Sequence, residues 1–167
     1  MSRMLLAVAA LVAASLAPAR AADVESLERQ LEQARDAAPM VIKSFTAISR
    51  PAKYFGNYEP RRNNEFRRGE KLYFYGEPKN IVAAKNAKGL FELAFDVDME
   101  ISGPDDTSKK MKMMTFRLPS RSRVQDIYLN LSLTMDNAPA GSYKVRFIVS
   151  DLNSKKTAAV DTDVTIK

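Results

Sequence analysis

Residues 91–101 read FELAFDVDMEI, and their alternation constrains this chain more than any other feature in it. Phe91, Leu93, Phe95, Val97, Met99 and Ile101 take every second position, with Glu92, Ala94, Asp96, Asp98 and Glu100 between them. A period of two belongs to a strand with one dry face and one wet face, because successive side chains point to opposite sides of a sheet. The dry face must be covered by a second layer, which commits the chain to a sandwich or a barrel.

The pattern recurs downstream. Ile127, Leu129, Leu131, Leu133 and Met135 form one set, and Tyr143, Val145, Phe147 and Val149 a second. Ala158, Val160, Val164 and Ile166 close the chain. Turn-forming residues separate these runs: Gly103-Pro104-Asp105-Asp106, Ala138-Pro139-Ala140-Gly141 and Asn153-Ser154-Lys155-Lys156. Earlier strands are expected over residues 41–49 and 71–75, the latter ended by Pro78, with a methionine-lined strand over 109–116. About seven strands without helical patterns between them predict an all-β, immunoglobulin-like antiparallel β-sandwich over residues 40–167.

A short amphipathic helix is expected ahead of the sandwich, within residues 22–39. Val24, Leu27, Leu31 and Ala34 lie at helical spacing, Asp23 suits the start and Pro39 stops it. Such a helix either lies against its own domain or pairs with a second copy to make a homo-oligomer.

The final thirty residues, APAGSYKVRFIVSDLNSKKTAAVDTDVTIK, resemble the last two strands of bacterial exported immunoglobulin-like or fibronectin-like modules. The shared features are Pro139-x-Gly141-x-Tyr143, an alternating strand ending in Asp151, a polar turn and a last alternating strand. The resemblance implies the sandwich architecture and a Tyr143 hydroxyl that ties a loop to the backbone, as in a tyrosine corner. It carries no catalytic residues. More loosely, Phe66-x-x-Gly69-Glu70 followed by Tyr75-x-Glu77-Pro78 is similar to strand openings in exported domains of uncharacterised function.

The first residues, MSRMLLAVAALVAASLAPARAADVES, have the build of a cleaved signal peptide over 1–21. Arg3 precedes an apolar core that is short for a bilayer span, and Ala19-Arg20-Ala21 fits the small-x-small cleavage rule. A periplasmic location follows as the expectation, with no transmembrane segment after cleavage. The chain has no cysteine, so it folds without disulfides in a compartment that would permit them. Removing Arg3 and Arg20 leaves 24 cations against 20 acids, a mature charge of about +4. That is far from a nucleic-acid-binding composition, and it suits anionic envelope surroundings.

The absence of histidine excludes histidine triads, bases and metal sites, and the absence of cysteine excludes thiol nucleophiles and iron–sulfur clusters. No glycine-rich phosphate loop is present. Asp96, Asp98 and Glu100 lie about 7 Å apart on one face of a strand, a spacing open to carboxylate chemistry or to Ca²⁺. A solvated face answered by lysines of the neighbouring strand explains them as well. Met111, Met113 and Met114, with Met99 and Met135, are a candidate Cu(I) set, although interleaved lysines oppose a cation there. Gap-filling in the core is the alternative for these methionines. Asn130-Leu131-Ser132 matches a glycosylation sequon but falls inside a strand. No cofactor is expected, and no enzymatic activity.

The remaining candidate is residues 50–71, where Arg50, Lys53, Arg61, Arg62, Arg67, Arg68 and Lys71 outnumber Glu59, Glu65 and Glu70. Tyr54, Phe55, Tyr58 and Phe66 are interleaved with them. Pro51, Pro60 and Asn63-Asn64 describe a long loop between strands, and such loops carry function disproportionately. Arginine beside exposed aromatics suits carboxylate, phosphate or sugar faces. Tyr58, Arg61, Arg62, Phe66, Arg67 and Arg68 are accordingly the expected partner-binding residues, for an envelope component or a periplasmic protein. The competing explanation is a set of exposed ion pairs worth about 0–1 kcal/mol each.

Overall fold

The computed structural model describes residues 23–105 and 108–167; the expected signal peptide and Asp106 of the expected turn lie outside the described residues. Helix α1 (Val24–Ala37) precedes β1 (Val41–Ile48), β2 (Glu65–Phe66), β3 (Lys71–Lys79), β4 (Ala84–Lys85) and β5 (Phe91–Ser102). Then follow β6 (Ser108–Ser120), β7 (Leu129–Thr134), β8 (Gly141–Asp151) and β9 (Thr157–Ile166). The described chain is thus mostly β, with one helix and nine strands where the sequence suggested about seven. The two extra strands, β2 and β4, have two residues each, too short to show a period.

The strands form a three-stranded sheet, β1-β3-β7, and a six-stranded one, β2-β9-β8-β5-β4 with β6 on β5. The alternating residues of both sheets meet in one core. Leu72 and Phe74 of β3 and Leu129 and Leu131 of β7 face Phe95, Val97, Val145, Phe147, Val164 and Ile166 from the other layer. Phe147 bridges the layers directly, its ring 5.1 Å from Phe74 and 5.6 Å from Phe45. Fully burying a side chain of this size stabilises by roughly 1.5–3 kcal/mol. Gly76 makes room for Phe45: a Cβ there would stand 3.1 Å from the Phe45 ring and 3.2 Å from Ile42 Cγ2.

β5 pairs with β8 on one side and β6 on the other, in the register its alternation requires. On its wet face Asp96, Glu100 and Glu92 are answered by cations of β6: Lys112 meets Asp96 at 2.9 Å, Lys110 meets Glu100 at 3.1 Å and Arg117 meets Glu92 at 2.9 Å. The Tyr143 hydroxyl donates to the Pro139 carbonyl at 2.8 Å and so ties the β7–β8 loop to β8. Asp151, buried at the end of β8, accepts hydrogen bonds from the Val82 and Asn153 amides and the Ser154 hydroxyl, so it is a structural hub.

Three expectations are corrected. β3 does not stop at Pro78 but runs to Lys79, with Pro78 opposite Ile42 on β1. β2 pairs with β9 in parallel, Glu65 opposite Thr165 and Phe66 opposite Ile166, so the sandwich is not wholly antiparallel. And α1 does not lay its apolar stripe on the sheets: Val24 is 69%, Leu27 50% and Leu31 50% exposed. The helix is fastened by its last turn instead, where Arg123 reaches Glu32 at 3.3 Å and Asp36 at 3.1 Å. Lys156 donates to the Asp36 and Arg35 carbonyls there, satisfying groups that a helix end leaves without partners. Among the described residues no helix is long and apolar enough to cross a membrane.

Candidate anion-binding site on the basic segment

The fold divides residues 50–71 into two parts with different fates. The first part covers the outer face of the small sheet. Alternation on β3 sends Leu72 and Phe74 into the main core and Tyr73, Tyr75 and Glu77 to the other side. That outer face would be wet, but Ile48, Ala52 and Tyr75 close a second buried cluster on it, flanked by Tyr58, Tyr73 and Tyr128. Tyr58 stacks on Tyr75 with centroids 4.1 Å apart, and Tyr128 lies 5.7 Å from it on the same ring.

Hydrogen bonds then fix the covering loop. Asn130 takes both backbone groups of Ala52, accepting from its N–H at 2.9 Å and donating to its carbonyl at 2.9 Å. This use of the amide, in contact with the loop, explains why an asparagine stands within β7. The Tyr128 hydroxyl donates to the Lys53 carbonyl at 3.1 Å. The Gly56 N–H donates to the Tyr75 hydroxyl at 2.8 Å, and that hydroxyl donates to Glu77 Oε1 at 2.9 Å. Burial, with the Glu77 carboxylate alongside, pushes the Tyr75 phenol up to about 12. Arg50, mostly exposed, pairs with Glu59 at 3.3 Å.

The second part approaches the end of the sandwich. Its backbone is drawn in by β2: Arg61 N–H donates to the Ala47 carbonyl at 2.9 Å, and Lys167 N–H donates to the Phe66 carbonyl at 2.9 Å. The pairing carries the Phe66 ring into the core, where it is 2% exposed. The Arg61 guanidinium lies 4.3 Å above that ring, donates to Glu70 at 2.8 Å and donates to the Glu65 carbonyl at 2.9 Å. Residues 67–70 form a closed turn in which Glu70 N–H donates to the Arg67 carbonyl at 3.0 Å and Arg67 N–H donates to Glu70 Oε2 at 2.9 Å. Gly69 supplies the left-handed φ of 73° that the turn requires. The Arg67 amide, then the Arg61 guanidinium, hold the Glu70 carboxyl below its ordinary range.

The six expected residues therefore separate. Arg61, Arg67 and Arg68 come together around an open recess of about 550 Å³ with Gly69 and Glu70. Arg62 is exposed but lines no part of it. Phe66 is the hydrophobic floor beneath Arg61 and offers no surface to a partner, because parallel pairing with β9 buries it. Tyr58 belongs to the tyrosine cluster at the other part of the segment. Among the described residues, Arg68 makes no ion pair, and Arg67 meets only Glu70, through its backbone and at longer range. These two exposed cations on a fixed turn can take a carboxylate or phosphate by charge-assisted hydrogen bonds.

The other candidate clusters are occupied by the fold. Asp96 accepts from the Thr115 hydroxyl at 2.6 Å and from Lys112 at 2.9 Å, and these, in that order, hold its carboxyl below the usual range. Among the described residues no three potential His, Cys, Asp or Glu ligands are placed to hold a metal ion. Met99 and Met135 are buried in the core, and Met113 and Met114 pack against its edge. Met99 faces Met111 across the β5–β6 ladder, while Met135 follows β7 in the other sheet.

No family model matches the chain, and no curated protein matches it. Among solved structures it is similar to the alkylpurine DNA glycosylase AlkC of Pseudomonas fluorescens, at 11% identity and TM-score 0.46 over 85% of this chain. This chain spans 36% of the glycosylase's length. A Niemann-Pick type C2 protein from the Japanese carpenter ant shares 13% identity at TM-score 0.47, covering 78% of this chain and 94% of its own. A CARDB domain from Pyrococcus furiosus shares 14% identity at TM-score 0.37, covering 77% and 86%. These likenesses are too distant to bear on function.

Proposed function

We propose that the protein is an exported, non-catalytic binding module of immunoglobulin-like architecture that captures an anionic partner in the periplasm through Arg67 and Arg68. The carrying observation is the pair of exposed guanidinium groups on a turn fixed by Glu70, at an open recess whose third arginine is already anchored. Neighbouring acids hold Arg50, Arg61, Lys110, Lys112 and Arg117 in ion pairs. Arg67 and Arg68 have no such neutralisation at close range, and their turn costs an incoming ligand little ordering entropy. The signal-like N-terminus and the strand pattern of residues 138–167, with the Tyr143 tie, support the exported sandwich assignment.

The partner is an envelope component or a periplasmic protein bearing phosphate or carboxylate groups. Capture from envelope extract by the immobilised protein tests this at low and high salt. Electrostatic capture weakens as the screening length falls from about 10 Å at 0.1 M to about 3 Å at 1 M. Capture that is indifferent to salt removes the electrostatic basis of the reading.

The exposed stripe of Val24, Leu27 and Leu31 favours a second, compatible reading, association of two copies through α1. The spacing 24, 27, 31, 34 is that of a narrow two-helix seam. Light scattering with and without residues 23–38 decides it: a mass that halves on deletion supports the helix pair, and an unchanged mass excludes it.

A further inference from the structure

The chain has neither cysteine nor tryptophan, so an oxidant that reaches it finds methionine as its most readily oxidised side chain. Apart from Met1 and Met4, the methionines all lie among the described residues, and the fold sorts them by access. Met40, Met99 and Met135 are buried, Met99 completely. Met113 and Met114 are half-buried against the core. Met111 stands apart, 36% exposed. The position of β6 explains this. Among the described strands it pairs with β5 alone, so its other edge is free. Antiparallel partners share a side of the sheet, which puts Met111, directly opposite Met99, on the core side. At this end of β6 the core side is uncovered: Lys109 and Met111, opposite Ile101 and Met99, are both exposed. The register then shifts, leaving Met113 as the extra residue of a bulge. From there on Met114, Phe116 and Leu118 pack against the core.

We propose that Met111 is a site of reversible oxidation, at which hydrogen peroxide converts the thioether to a sulfoxide. A lone pair of Sδ attacks one peroxide oxygen, the O–O bond breaks and an S–O bond forms. The departing oxygen takes the proton and leaves as water. Sulfur is oxidised by two electrons and the peroxide is reduced by two. The new oxygen is a hydrogen-bond acceptor, and on the open edge of β6 it turns to water. The same change at Met99, opposite Phe147 of β8, would bury a polar group without a partner. The core methionines are therefore both hard to reach and costly to convert. An exposed residue on a free edge is also open to the reductases that reverse the step, one for each sulfoxide epimer. This site is separate from the Arg67–Arg68 recess and does not depend on it.

Limited treatment of the whole protein with hydrogen peroxide tests this, with peptide mass spectrometry following each methionine within residues 23–167. Met111 gains its oxygen first, roughly tenfold faster than Met99 or Met135, and the difference disappears in denaturant. Protein oxidised at Met111 stays folded, its melting midpoint within about 2 °C of the untreated protein. Methionine sulfoxide reductases of both epimer specificities, with a thiol reductant, then restore the original mass at that peptide. Met111→Leu, a volume-conserving change, removes the fast phase within residues 23–167 and leaves the slow ones. Oxidation of Met99 or Met135 as fast as that of Met111 in the folded protein overturns the proposal. So does a fast phase that maps to Met113 or Met114, or one that survives Met111→Leu. A Met111 sulfoxide that the reductases leave in place overturns its reversibility.

Discussion

The two parts of residues 50–71 carry similar side chains, yet the fold treats them in opposite ways. In the first, the outer face of β3 presents Tyr73, Tyr75 and Glu77, which need a cover, and residues 49–60 provide it through Ala52, Tyr58 and the Gly56 amide. In the second, Phe66 is drawn into the main core and Arg61 is spent on Glu70 and on the ring beneath it, but Arg67 and Arg68 have no equivalent sink. The difference teaches that aromatic residues in a basic loop are poor markers of a binding surface when an uncovered sheet face lies beneath them. Cations that remain after the nearby acids are paired are better markers.

Four substitutions or titrations sharpen this contrast, in descending order of effect. Tyr75→Ala removes a fully buried ring and both its hydroxyl bonds, and should destabilise by about 3–5 kcal/mol in chemical denaturation. A loss below about 1 kcal/mol would mean that the second cluster is not a packed core. Asn130→Ala leaves both backbone groups of Ala52 without their partner and should cost about 1–3 kcal/mol. Protease sensitivity should rise within residues 50–58 while the main core persists.

The third is a pH titration. The folded Tyr75 phenol is raised from near 10 to about 12 by burial. A raised folded value favours the protonated form, so this contribution to stability is complete below pH 10 and is lost as pH rises from 10 through 12. The denaturation midpoint should fall across that window, and the Tyr75→Phe variant should show a shallower fall. An equal slope in both would place the alkaline sensitivity elsewhere. The smallest stability effect belongs to Arg67→Glu combined with Arg68→Glu, within about 0.5 kcal/mol, because both side chains are exposed. A larger loss would make these arginines structural, like Arg61.

Where one face of a strand is dry, the sequence displays the strand openly: residues 91–101 and 143–149 alternate, and β5 and β8 pair in that register. Where both faces are buried, alternation disappears. Residues 73–78 read YFYGEP, a run that resembles the end of a strand, yet β3 continues through it because the loop covers its second face. Phe66 sits among arginines and looks like surface, and only its pairing with Ile166, a hundred residues away, shows otherwise. Arg67 and Arg68 were legible as cations, but that neither side chain forms a close ion pair depends on which partner Glu70 and Glu65 choose, and that is a property of the folded turn.

The central claim is that capture resides in the second part of the segment and the first part is scaffold. Two charge-reversed proteins of matched melting temperature test it against the same envelope extract at low salt. One carries Arg67→Glu with Arg68→Glu, and the other Arg50→Glu with Lys53→Glu. The account predicts that the first loses the captured partner and the second keeps it. Retention by the first, or loss by the second alone, would contradict it.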